Sequence, residues 1–234
     1  MRLTLFLITL LCTISTTLLA QTIKQHSGWL FLMNNTKIND KWGAYMDVQL
    51  RSADQFDRVR NLMFRPGVTY DINKKSQLTL GYLLNETFNP SSSGIGTLTE
   101  HRIWEQYIYK HKVSTANFSH RFRLEQRFIE RANNEDLFAQ RFRYFFRIIL
   151  PLQKDKQNFN KGPFAAIQNE VFLNIQHKSE LNGYVFDQNR AYLAAGYRFS
   201  PKLDIELGYM NQSSKGASRN TMNNIAQLAV YTRF

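Results

Sequence analysis

The chain has 234 residues and a formal net charge of +12, with 30 Lys and Arg against 18 Asp and Glu. That length suits one all-β domain. The basic residues do not form a run but stand between aromatic and aliphatic ones, which argues against a nucleic-acid partner. Phe and Tyr number 18 and 11, yet mean hydropathy is only −0.40. A membrane β-barrel combines these properties, because each lipid-facing apolar position is followed by a polar lumen-facing one.

Residues 1–20 read as a secretory signal peptide and 21–234 as a single outer-membrane barrel domain. Arg2 supplies the positive start, residues 3–11 the apolar stretch, and Ala20 precedes Gln21 at the expected cleavage point. Cys12 is the one cysteine and lies inside the apolar stretch. The processed chain would then have none, which excludes disulfides and thiolate metal sites. No later segment approaches the about 18 consecutive apolar residues of a membrane-spanning helix. A mature chain that spans a membrane must do so as a closed barrel.

In chain order, strands are expected near 28–36, 42–51, 59–71, 76–88, 101–112, 118–130, 138–150, 163–176, 187–199, 203–212 and 223–234. The period is two throughout. Trp42, Ala44, Met46, Val48 and Leu50 share one face, with Tyr45, Asp47, Gln49 and Arg51 on the other. Phe138, Phe142, Tyr144, Phe146, Ile148 and Leu150 oppose Arg141, Arg143 and Arg147 in the same way.

Connections alternate between short (73–75, the turn after 111, 200–202) and long (89–100, 131–137, 177–186, 213–222). That asymmetry places the long loops outside the cell. The connection 151–162 is long on the short-turn side. Tyr70, Tyr109, Phe118, Tyr197, Phe199 and Phe234 gather at the short-turn ends as one interfacial girdle. The count of eleven conflicts with the even number usual in bacterial single-chain barrels. Ten to twelve strands are expected and twelve favoured, with a hidden strand sought in 21–27 or 52–58. Parity places Glu105 on the lipid face, so either it lies near headgroups or the register shifts there.

The last strand ends in Phe234, with Thr232, Val230, Leu228 and Ala226 at alternate positions before it. A terminal aromatic with apolar alternate residues resembles the signal read by the outer-membrane assembly machinery. Several segments carry a second resemblance: HRIWEQ at 101–106, HRFRLEQRF at 120–128, RFRYFFR at 141–147 and the following Ile149, Leu150, Pro151 and Leu152. Gly28 and Trp29, Arg65, Pro66 and Gly67 with Tyr70, and Leu80, Gly81 and Tyr82 complete it. Together they resemble the outer-membrane protein family catalogued as domain of unknown function 2490, across essentially the whole mature chain. The resemblance implies a barrel. It implies no established activity and no catalytic residues.

Arg121, Arg123 and Arg127 share the polar face of one expected strand, and Arg141, Arg143 and Arg147 that of the next. Glu125 and Glu170 are the nearest counter-charges. If the two strands are antiparallel neighbours, the six arginines form one inward patch. It can fill a narrow interior as an ion-pair network, or form a passage or site for small anions, to which planar guanidiniums are suited.

The sequence is therefore read as an antiparallel transmembrane β-barrel of the bacterial outer membrane. Its expected role is a narrow passive pore or binding barrel with a basic, anion-preferring lumen. Outer-membrane lipid, the assembly machinery and small anions are its expected partners, with no nucleic acid, cofactor or metal. Two other readings stand beside this one. The first is a closed structural barrel without transport. The second is an outer-membrane lipid hydrolase, for which His177 and Ser179 have the spacing but no identifiable orienting partner.

Overall fold

A computed structural model describes residues 22–89, 96–132, 135–153 and 159–234; the expected signal peptide and its expected cleavage point lie outside them. Eleven strands form one closed barrel. They are β1 (Thr22–Lys37), β2 (Trp42–Ser52), β3 (Val59–Asn73), β4 (Ser76–Phe88), β5 (Thr97–Val113) and β6 (Ala116–Ile129), followed by β7 (Leu137–Pro151), β8 (Gly162–Asn174), β9 (Phe186–Ser200), β10 (Leu203–Ser214) and β11 (Asn220–Arg233). Each pairs with its sequence neighbours in antiparallel fashion, and β1 closes the ring against β11.

Eleven falls within the expected ten to twelve, but the favoured even number does not hold. An odd ring must bring two strands together running the same way, and β1 and β11 pair in parallel from Thr22 with Asn220 to Asn35 with Arg233. No twelfth strand hides in the two places proposed. Residues from Thr22 onward belong to β1, and a short 3-10 turn, Asp54–Phe56, follows β2. The seam continues through the last residue: the Phe234 amide donates to Asn35 O at 2.9 Å, and the Lys37 amide to Phe234 O at 2.6 Å. Ser27 and Asn223 also exchange side-chain hydrogen bonds across it.

The short turns are set by side chains that satisfy local amides. Asn39 Oδ1 accepts from the amides of Lys41 and Trp42, and Asn73 Oδ1 from that of Lys75. Near them sit Trp42 against Tyr70, His111 against Phe118, and Tyr197 against Phe199, each with centroids 4.9 Å apart. These pairs lie along the expected girdle. Leu50, Val68, Leu80, Ile103, Leu193 and Leu207 are exposed on the outer face, an apolar band of the kind that lies against hydrocarbon. Glu105 is on that face. The β5–β6 register runs without a shift past it, and Glu105 accepts a hydrogen bond from Gln126 Nε2 at 3.1 Å.

Part of the interior is packed, and its charges are spread among aromatic side chains. Trp104 is fully buried with Tyr45, Met63 and Leu83. It lies against bare backbone at Gly67 and Gly81, which face each other across β3 and β4. A Cβ on Gly81 would come within 2.2 Å of the indole and 2.7 Å of Pro66 O. The β3–β4 register skips Arg65 and Pro66 at this place, as a proline without an amide hydrogen requires. A second apolar group, containing Trp29, Phe164, Tyr192, Met210 and Ile225, lines the other side.

Candidate functional site

Inward positions on β5, β6, β7 and β8 bring the sequence-predicted arginines together. The pairing register sets like charges opposite one another: Arg102 faces Arg127, and Arg123 faces Arg143. Like charges directly across a sheet repel. Carboxylates offset this by each holding two guanidiniums. Glu125 takes Arg141 Nη2 at 2.7 Å and Arg143 Nη1 at 2.5 Å. Glu170 takes Arg143 Nη2 and Arg121 Nη2, both at 2.7 Å. Glu100 holds Arg102 Nε at 2.7 Å and Arg127 Nε at 2.6 Å. Further round, Glu206 takes Arg147 Nη2 at 2.6 Å, and Asp187 takes Arg141 Nη1 at 2.8 Å.

Arg123 differs from the other five. It is 1 % exposed, donates through Nε and Nη2 to Gln106 Oε1 at 3.0 and 2.6 Å, and lies over the Trp104 ring at 4.4 Å. Glu125 is 3.9 Å away from it. Five of the six predicted arginines thus share one inward network with Glu125 and Glu170, while Arg147, inward by the same parity, stands apart on Glu206 and Gln168. Glu100 and Asp187 join it, and Glu206 neutralises Arg147 separately, so the local excess of charge is smaller than two carboxylates would leave.

Sequence reasoning missed a second set of inward groups. Arg65 pairs with the buried Asp47 at 3.0 Å, and Tyr45 also bonds Asp47. Arg198 and Arg233 both hold Asp204 at 2.7 Å. Arg51 and Arg190 have their guanidiniums over Trp29, 3.9 and 5.0 Å from its ring centroid. All lie on the polar parity of their strands. That parity was the available signal, but isolated arginines do not stand out as the RxR pairs of β6 and β7 do.

A cavity of about 1050 Å³ runs along the lumen. Its lining begins at the short-turn rim with Lys37, Lys75, Lys112 and Phe234, and reaches Arg51, Arg60 and Gln188 towards the long loops. A smaller space of about 350 Å³ lies beyond, under 181–182 and 215–217. Asn182 ties those loops together by donating to Lys215 O and Phe186 O at 3.0 Å.

The strand geometry that a hydrolase would need at His177 and Ser179 is not present: Lys178–Glu180 form a 3-10 turn within the connection expected at 177–186. His177 Nδ1 lies 2.7 Å from Phe138 O, and no hydrogen bond joins His177 to Ser179 among the described residues.

A closed barrel with an apolar outer band and a charged, partly hollow interior is porin-like. A family model described as "Protein of unknown function (DUF2490)" matches residues 26–223, and the chain belongs to that family. An uncharacterized protein of Methylorubrum extorquens is 27 % identical over 238 residues, covering 100 % of this chain and 99 % of that one. The NanC porin shares the fold at a TM-score of 0.51 and 11 % identity, over 81 % of this chain and 85 % of its own.

Proposed function

We propose that the protein resides in the bacterial outer membrane and acts as a narrow passive pore or binding barrel with an anion-preferring lumen. The supporting observation is the lining of the main cavity. Fifteen lysines and arginines line it, against the carboxylates of Asp71, Glu170 and Asp204. Adding Asp47, Glu100, Glu125 and Glu206 behind the lining leaves the cations in excess by about two to one. Confined positive charge of this kind attracts anions and repels cations.

Reversal potential across a planar bilayer under a KCl gradient tests the reading. Chloride preference is expected, and potassium preference would overturn it. Absence of conductance would favour the closed structural barrel. That alternative has its own support in the ion pairs that fill the lumen beside β5–β8. The lipid-hydrolase reading has no comparable geometry behind it.

In this reading residues 1–20 are removed on export, Phe234 marks the last strand for the assembly machinery, and the long loops face outward. Cysteines placed at Ser214 and Lys74 test the orientation. An impermeant maleimide on intact cells should label the first and not the second.

A further inference from the structure

Arg51 and Arg190 differ from the arginines of the network in what holds them. Among the described residues neither has a carboxylate oxygen within 4.0 Å; each is held by a neutral amide instead. Arg51 donates through Nη2 and Nε to Gln49 Oε1, at 2.6 and 3.2 Å. Gln49 in turn donates to Asp47 Oδ1 at 2.8 Å, so an amide stands between Arg51 and the nearest buried acid. Arg190 reaches Gln188 Oε1 only at 3.5 Å, and its Nε is buried without a partner. Glu170 lies opposite Arg190 in the β8–β9 register, but it turns its carboxylate to Arg121 and Arg143.

The two come from well-separated strands, since β1, β11 and β10 lie between β2 and β9 in the ring. They nevertheless converge on one indole, that of Trp29. Both guanidiniums and Trp29 line the main cavity, together with Gln49, Gln188, Gln212 and Gln227. The place therefore offers two cations without an acid, one flat apolar wall and several amides that can donate or accept. Two guanidiniums without a carboxylate, both within 5.0 Å of one indole centroid, repel each other, and an entering anion relieves that repulsion.

We propose that Arg51, Arg190 and Trp29 form a binding site in the lumen for a small organic acid, whose carboxylate lies between the guanidiniums. A planar carboxylate fits the guanidinium fork through paired N–H···O bonds. The uncharged polar body of the ligand meets the surrounding amides. This rests on the anion-preferring lumen proposed above but moves the binding function away from the arginine patch of β6 and β7, whose guanidiniums already have acids.

The test uses folded protein in detergent micelles and in planar bilayers, with gluconate and inorganic phosphate as probes. Isothermal titration should detect gluconate, with affinity reduced roughly tenfold or more in Arg51→Gln and in Arg190→Gln, as expected for loss of a charge-assisted hydrogen bond. Arg233→Gln removes one positive charge at the short-turn rim and should change affinity little. Equal weakening by all three variants would overturn the site in favour of a diffuse field. Unchanged affinity in the first two would also overturn it. Tighter binding of phosphate than of gluconate would overturn the carboxylate assignment. The bilayer experiment separates the site from the pore. Gluconate binding that depends on Arg51, without conductance, would keep the site and remove the pore. Chloride-selective conductance whose gluconate block ignores Arg51 and Arg190 would keep the pore and remove the site.

Discussion

The lumen contains arginines in two conditions, and the contrast lies in their partners. Along β6 and β7, Arg141 and Arg143 are tied to Glu125, Glu170 and Asp187 by contacts of 2.5 to 2.8 Å. Arg51 and Arg190 instead lie over the Trp29 indole and are held by glutamines, although Arg190 also shares the Phe172 ring with Arg141 and Arg143. The same side chain thus serves as a strut in one place and leaves a charge available in another. What separates the two is where the carboxylates are directed: Glu170 stands opposite Arg190 in the register but gives its oxygen to Arg121 and Arg143.

The largest effect should come from breaking the paired side. Arg143→Gln removes a partner from both Glu125 and Glu170 while leaving them buried. Removing one member of a buried ion pair costs about 3–5 kcal/mol. Urea-dependent folding into detergent, read by the heat-modifiable gel band, should shift accordingly. An unchanged midpoint would mean that the network does not hold the barrel together. Deletion of Phe234 comes next. It removes both hydrogen bonds that extend the parallel seam, Phe234 N to Asn35 O and Lys37 N to Phe234 O. The yield of folded band at low expression should fall, and equal yield would show that the seam closes without its last residue.

Gly81→Ala probes the wall that supports Tyr45 and, through it, Asp47. Its Cβ would press on Trp104 and on the backbone at Pro66, so the strands or the indole must move. Overpacking of this kind costs about 1–3 kcal/mol. The same folding assay should register the loss, and an unperturbed midpoint would mean that Trp104 has room to shift.

Much of this architecture was legible from alternation. The strand positions, the inward set of Arg121, Arg123, Arg127, Arg141, Arg143 and Arg147, and the outward Glu105 follow from a period of two. What parity cannot give is which strands meet across the ring. Alternation alone counts eleven strands, but the even number usual in such barrels points to twelve, and a parallel seam between the first and last strands leaves no local mark in either to decide it. Glu100 escapes as a counter-charge because residues 89–100 read as a loop, whereas β5 begins at Thr97; Glu206 escapes for the reason of distance. Glu206 lies on β10, far in sequence from Arg147 on β7, and reaches it only across the lumen. Arg51 stands directly opposite Trp29 in the β1–β2 pair, but Arg190 on β9 joins them only through the closed ring.

The smallest expected change in stability, and the sharpest test of the contrast, comes from converting one condition into the other. Gln188→Glu would place a carboxylate beside Arg190 with almost no change in volume. Gln188 accepts long hydrogen bonds at 3.5 Å from Arg190 Nη2 and Ser214 Oγ, so an acid there can still accept both. Folding should change less than in Arg143→Gln, because the new buried carboxylate has Arg190 beside it. Gluconate affinity and chloride preference should both fall, because Arg190 would then have its own acid. Gln49→Glu makes the same chemical change beside Arg51 but should behave differently. Gln49 Nε2 donates to Asp47 Oδ1, and a glutamate there would set two carboxylates against each other in a buried place. That variant should destabilise the barrel as well as weaken binding. If Gln188→Glu left gluconate binding intact, the missing acid would not be what makes this pair a site, and the distinction between the two sets of arginines would fail.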